Sequence, residues 1–150
     1  MAKMSLKNRV PAAILSSPLH PLLSNNRLVL TFTGRRSGTR YATPVNYLCR
    51  SGELLISTDS GWWHNLDGGA PVELRLQGRR RHGRAVVDRD PAAVAEGLTA
   101  LVRDHPAYGR WAHVRVDADG EPDPDAVAAE VARGRVLIRV QVDSEEPGRR

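Results

Sequence analysis

The stretch that decides the fold is RLVLTFTGRRSGTRYATPVNY, residues 27–47. Leu28, Leu30 and Phe32 alternate with Val29, Thr31 and Thr33, the period-two pattern of a β-strand with one buried face. Gly34-Arg35-Arg36-Ser37-Gly38 interrupts the pattern as a basic turn. A second strand is expected over residues 41–49, with Pro44 marking an edge or a bulge because proline cannot donate to a sheet ladder. Arg50-Ser51-Gly52 is a turn and Glu53 to Thr58 a third strand, so residues 41–58 read as a hairpin.

The same alternation continues outward. Val72, Leu74 and Leu76 give a fourth strand, Gln77-Gly78-Arg79 turns into a fifth that ends near Val87, and Val136, Ile138, Val140 and Val142 share one face of a last strand over 135–142. Residues 59–70 form a loop with one helical turn at Trp62–Leu66. Asp90-Pro91 and Asp123-Pro124 each place a capping carboxylate before a proline at the first helical position. They start a helix that stops before Pro106 and a shorter one ending near Ala132. About six strands, mostly joined as hairpins, with two or three helices predict a mainly β fold: an antiparallel barrel with peripheral helices. The expected organisation is an amphipathic helical segment over 1–26, a barrel domain over 27–143 and a disordered tail over 144–150.

Composition narrows the function. The chain has 150 residues, 41% hydrophobic and 26% charged, ordinary for a globular domain. A single cysteine, Cys49, rules out an internal disulfide and a thiolate zinc site, and points to a reducing cytoplasm. Pro11, Pro18, His20 and Pro21 break the apolar run near the start, so no secretory signal is expected there. The amphipathic residues 3–23 suit a helix docked on the barrel, a lid, or a peripheral contact with the inner face of a membrane. The net charge of +5 comes mainly from arginine and suits either a solvated basic surface or an anionic partner such as a membrane or a polyanionic small ligand. Aromatics make up only 5%, and Arg79-Arg80-Arg81 has no aromatic beside it, so nucleic acid is not an expected partner.

Three segments have the chemistry of a site. In Thr33–Gly38 the glycines allow backbone N–H groups to turn toward an anion, while Arg35, Arg36 and Ser37 add charge and a hydroxyl; the same residues also suit a plain basic β-turn. In Thr43-Pro44-Val45-Asn46-Tyr47 a proline-interrupted strand frees backbone groups for a heterocycle's edge. In Gly61-Trp62-Trp63-His64-Asn65-Leu66 one tryptophan is expected to pack on the core while the other lines a cleft. The five histidines have no metal-ligand spacing, Ser37 lies in no nucleophile elbow, and Asp117, Asp119, Asp123 and Asp125 are broken up by Pro122 and Pro124. No metal is expected. A site without nucleophile or metal fits an enzyme whose cofactor does the chemistry.

Together, T-G-R-R-S-G, T-P-V-N-Y and G-W-W-H-N-L, in this order and spacing, resemble the deazaflavin-dependent nitroreductase and quinone reductase family of actinobacteria. The resemblance runs from about Leu28 to Val87. It implies a split β-barrel of the flavin-binding type and coenzyme F420, with a hydride passed to a quinone-like, nitro or other unsaturated small-molecule acceptor. It implies that Arg35, Arg36, Ser37 and Gly38 hold the phosphate and that Thr43, Pro44 and Val45 run along the deazaflavin edge. It also implies that Ser57 and Ser60 offer hydroxyl and backbone contacts and that Trp62 and Asn65 line the pocket. The proton comes from solvent or from Tyr47, His64 or Tyr108 as candidate donors, and Asp59 stands where it would repel a nearby phosphate. Flavin mononucleotide or haem in the same barrel, or a non-catalytic carrier or basic nucleic-acid module, are the alternatives. A monomer and a homodimer both suit the family.

Overall fold

A computed structural model describes residues 27–76 and 78–143. The expectations for residues 1–26 and 144–150 lie outside the described residues. Seven strands form one antiparallel sheet: β1 (Arg27–Thr33), β2 (Arg40–Asn46), β3 (Leu48–Arg50), β4 (Glu53–Thr58), β5 (Ala70–Leu76), β6 (Arg79–Asp88) and β7 (Val136–Val142). A 3₁₀ helix spans Gly61–Leu66. Helices α1 (Pro91–Asp104), α2 (Tyr108–Ala112) and α3 (Pro124–Ala132) lie between β6 and β7 in the chain.

The sheet order is β2-β1-β5-β6-β7-β4-β3. Its two edge strands, β2 and β3, are separated in sequence by Tyr47 alone. One residue cannot span an open seven-stranded sheet whose strands sit about 4.8 Å apart. The sheet therefore curls until its edges meet, and no ladder joins β2 to β3, which leaves the barrel split along that seam.

The seam corrects the expected hairpin over residues 41–58. β2 pairs along its whole length with β1, from Arg27↔Asn46 to Thr33↔Arg40, while only β3 pairs with β4. The period of two runs on past Tyr47, so the alternation does not register a strand that changes partner there. Pro44 does lie in an edge strand, opposite Val29, where a missing donor costs least.

Alternation sorts the core. Leu28, Leu30, Phe32, Tyr41, Leu54, Ile56, Val72, Leu74, Val136, Ile138 and Val140 pack inside the curl. Leu55 and Leu137, one residue out of step, face the other way and meet Val94 of α1. Gly97 lets α1 sit this close, since a Cβ there would stand 2.5 Å from the Leu137 side chain. Asp90 caps α1 by accepting from the Ala93 amide, and Asp123 caps α3 by accepting from the Asp125 amide, as the Asp-Pro pairs predict. The short α2 carries no capping signal, and its stability comes from burying Tyr108 and Ala112 against α1.

Candidate functional site

The β1–β2 loop and the 3₁₀ turn meet at one end of the barrel. They enclose a cavity of about 430 Å³ lined by Gly34, Arg35, Arg36, Ser37, Tyr41, His64 and Asn65. The loop is tight. The Gly34 amide donates to the Thr39 carbonyl at 2.7 Å and the Gly38 amide to the Gly34 carbonyl at 2.9 Å. The Thr39 amide donates to Ser37 Oγ at 3.1 Å. Two glycines make this turn possible: a Cβ on Gly34 would stand 2.7 Å from both Ser37 Oγ and the Tyr41 ring, and Gly38 has φ +71°.

These bonds show which donors remain for a ligand. The glycine amides close the turn and the Arg35 amide bonds Asn65. Among the described residues, the amides of Arg36 and Ser37 have no acceptor within the loop. The Arg36 guanidinium, exposed at the same point, has no acidic partner among them. Arg35 differs, because its guanidinium donates to the Asp67 carbonyl. The loop thus presents one exposed cation, two backbone donors and the Ser37 hydroxyl, a donor set that matches a phosphate.

The turn supplies the opposite wall. Trp62 and Trp63 are both buried, at 4% and 7% exposure, which corrects the expectation that one of them lines a cleft. Trp62 stacks on Phe32 with ring centroids 5.4 Å apart, and Trp63 stacks on His64 at 3.8 Å while Arg89 sits 5.1 Å above the Trp63 ring. A 3₁₀ turn has three residues per turn. Neighbouring side chains therefore diverge by about 120°, yet Trp62 and Trp63 both reach the core, leaving the polar His64 and Asn65 outward. His64 Nδ1 donates to the Gly61 carbonyl at 2.8 Å; a carbonyl can only accept, so the neutral ring carries its lone pair on Nε2.

Other expected site residues lie elsewhere. Thr43 is buried further along β2, with Pro44 and Val45 half-buried beside it, beyond Tyr41 and outside the cavity lining. Ser60 is exposed at the start of the turn, and its amide donates to Thr58 Oγ1 at 3.0 Å. Tyr47 is half-buried at the seam, and burial, with Cys49 nearby, pushes its phenol above the usual tyrosine range.

Ser57 and Tyr108 belong to a different structure on the outer face of β4. Ser57 is out of step with Leu54 and Ile56, so it faces the helices. Its Oγ accepts from Arg135 Nη1 at 3.1 Å and its carbonyl from the Tyr108 hydroxyl at 3.1 Å. Arg135 also donates from Nε to Glu130 Oε1 at 3.0 Å, and the two residues are 5% and 1% exposed. Arg133 forms a second ion pair with Glu130. Arg135 reaches Asp59 at 3.8 Å, so the carboxylate expected to repel a phosphate faces a cation instead. Burial, above all, holds the Tyr108 phenol above its ordinary range, against the opposing pull of Arg135.

Two of these features were missed in the sequence. Tyr41 lines the cavity and its hydroxyl lies 3.3 Å from Ser37 Oγ. The alternation in β2 points it inward, a signal that was there to be read. The Glu130–Arg135 pair gave no such signal, because Glu130 on α3 and Arg135 in the turn before β7 look like ordinary surface charges.

The fold and site define a class: a split antiparallel barrel with an open basic loop at one end of its first hairpin. Within that class the chain belongs to the F420H(2)-dependent quinone reductase family, whose model matches residues 17–118. It is an F420-dependent oxidoreductase. Similar solved structures include the FAD and haem binding protein from Mycobacterium smegmatis (19% identity over 90% of this chain and 75% of that one, TM-score 0.46). Others are the conserved hypothetical protein Rv2991 from Mycobacterium tuberculosis (16% identity, 85% and 77% covered, TM-score 0.49) and an F420 reductase (15% identity, 85% and 95% covered, TM-score 0.44). No curated protein matches the chain. No helix among the described residues is long and apolar enough to cross a membrane.

Proposed function

We propose that this chain holds F420 with its phosphodiester on the Arg36–Ser37 segment and reduces a quinone-like acceptor, with His64 as the proton carrier. The observation that carries the reading is the donor set around the cavity: two amides and a guanidinium that no described residue satisfies. When bound in its reduced form, F420 supplies a hydride from carbon C5, so a quinone needs one further proton to become a quinol. The chain's own part is to fix the anion, present one face of the ring and keep water from the reacting atoms.

Three side chains were candidates for that proton. Tyr108 is buried, engaged with Ser57, and a weaker acid than an ordinary phenol. Tyr47 is also made a weaker acid by burial. His64 alone lines the cavity, with Nδ1 engaged and Nε2 free to exchange a proton, and imidazole is the side chain suited to that task near neutral pH. In the same reading Thr43, Pro44 and Val45 flank the ring on the β2 side, Ser60 contributes at the mouth, and residues 27–143 are the cofactor-binding unit. Residues 1–26 lie outside the described structure; a helix there would bring a lipophilic quinone within reach at a membrane surface.

An anaerobic assay of reduced F420 oxidation tests the reading, with a menaquinone analogue and a nitroimidazole compared side by side. Quinone turnover that His64→Gln slows, with a flattened pH profile, supports it. A variant with an unchanged pH profile removes His64 from the proton path, and turnover of the nitro compound alone removes the quinone.

A further inference from the structure

We propose that Asn65 is a positioning residue that shapes the anion loop before any ligand arrives, and that it is not itself a ligand of the cofactor. The inference rests on the assignment of the phosphate to Arg36 and Ser37. Asn65 Oδ1 accepts from the Arg35 amide at 2.9 Å, and Asn65 Nδ2 donates to the Trp62 carbonyl at 3.0 Å. An amide N–H needs an acceptor and a carbonyl needs a donor, so these partners fix the orientation of the side-chain amide.

Each half of the amide thus has a protein partner, and the two bonds join segments thirty residues apart. The Arg35 guanidinium makes a second cross-link between the same segments by donating to the Asp67 carbonyl. Arg35 is pinned at its backbone and at its side chain, so the next residue is the first that is free to turn outward. The clamp therefore decides where the Arg36 and Ser37 donors point. A preshaped loop has little ordering entropy left to lose on binding, which is how a residue off the ligand adds affinity. Trp62 anchors the arrangement, since the backbone carbonyl that holds Asn65 belongs to a residue whose ring stacks on Phe32 in the core.

The test is a fluorescence titration of wild type, Asn65→Ala, Arg36→Ala and the double variant. The ligands are F420 and its deazaflavin riboside, which has the ring but no phosphodiester or tail. Amide hydrogen exchange over residues 34–38 is measured without ligand. Asn65→Ala is expected to weaken F420 binding about tenfold, the loss of about 1.4 kcal/mol, while riboside affinity stays within about twofold. Exchange at the Arg35 amide is expected to quicken, and the double variant to bind F420 no more weakly than the weaker single variant. Equal losses on both ligands, or penalties that multiply in the double variant, make Asn65 a direct ligand and overturn the proposal. Should Asn65→Ala not fold, Asn65→Asp keeps the acceptor for the Arg35 amide, and a fast-exchanging amide there overturns the proposal too. Failure of the phosphate assignment looks different, because Arg36→Ala then binds F420 as tightly as wild type.

Discussion

Arg36, on the β1–β2 loop, and Arg135, packed at the outer face of β4, meet opposite fates. Arg135 is buried, and Glu130, Ser57 and Asp59 surround its guanidinium. Arg36 is exposed on a loop whose neighbouring amides have no protein acceptor among the described residues. Each has a serine and a tyrosine nearby: Ser57 and Tyr108 for the first, Ser37 and Tyr41 for the second. The difference lies in satisfaction. The first cluster closes on itself and holds α2 and α3 to β4, so it is structural. The second is held in shape by Gly34, Asn65 and Asp67 but leaves its charge open, so a polyanionic cofactor can complete it.

Breaking the closed cluster has the largest expected effect. Arg135→Met leaves the Glu130 carboxylate in the interior with Arg133 as its remaining cation, and should cost about 3–5 kcal/mol in denaturant unfolding. A loss under about 1 kcal/mol would mean the pair is not the keystone described. Arg36→Ala comes next and acts on binding instead. F420 affinity should fall about tenfold or more, since a charge-assisted phosphate contact contributes roughly 1.5–3 kcal/mol, with the unfolding midpoint unchanged.

Tyr108→Phe sharpens the same contrast. It removes the bond to the Ser57 carbonyl and should cost about 1 kcal/mol at neutral pH, with turnover retained. The sign of its pH effect follows from the raised phenol. The folded protein favours the neutral form, so this contribution is present below the ordinary tyrosine range and is lost as pH rises through the raised value. The phenylalanine variant should show less alkaline destabilisation than wild type; an identical alkaline limb in both would contradict that role.

The smallest effect belongs to the surface. Arg50 and Glu96 are joined by two bonds of 2.7 Å, and the hydrogen bond from Arg50 holds the Glu96 carboxyl below its usual range. Both are well exposed, so Arg50→Ala should cost only about 0.2–1 kcal/mol. That stability is present above the ordinary glutamate range and disappears as pH falls through the depressed value. Denaturation curves near neutrality and in acid should therefore diverge for wild type and variant only at the higher pH.

Much of this was legible in the sequence, and the failures share a cause. Strand faces, helix starts at Asp90 and Asp123 and the basic loop follow from local pattern, and each has a local physical reason. The break at Tyr47, the α2 turn and the Glu130–Arg135 pair depend on which surfaces meet after the sheet curls, and no short-range periodicity encodes that. Trp62 and Trp63 show the limit well. Their composition suggested a cleft, yet both pack inward, Trp62 on Phe32, and leave His64 and Asn65 at the cavity.

The most direct test of the central claim, that the open guanidinium at Arg36 is the cofactor's anchor, is a binding titration of wild type and Arg36→Ala with F420, run beside flavin mononucleotide. The account expects micromolar or tighter F420 binding by wild type, weakened about tenfold or more by the substitution and increasingly salt-sensitive in wild type alone. Equal F420 affinity for the two proteins, or binding of the flavin only, would contradict it.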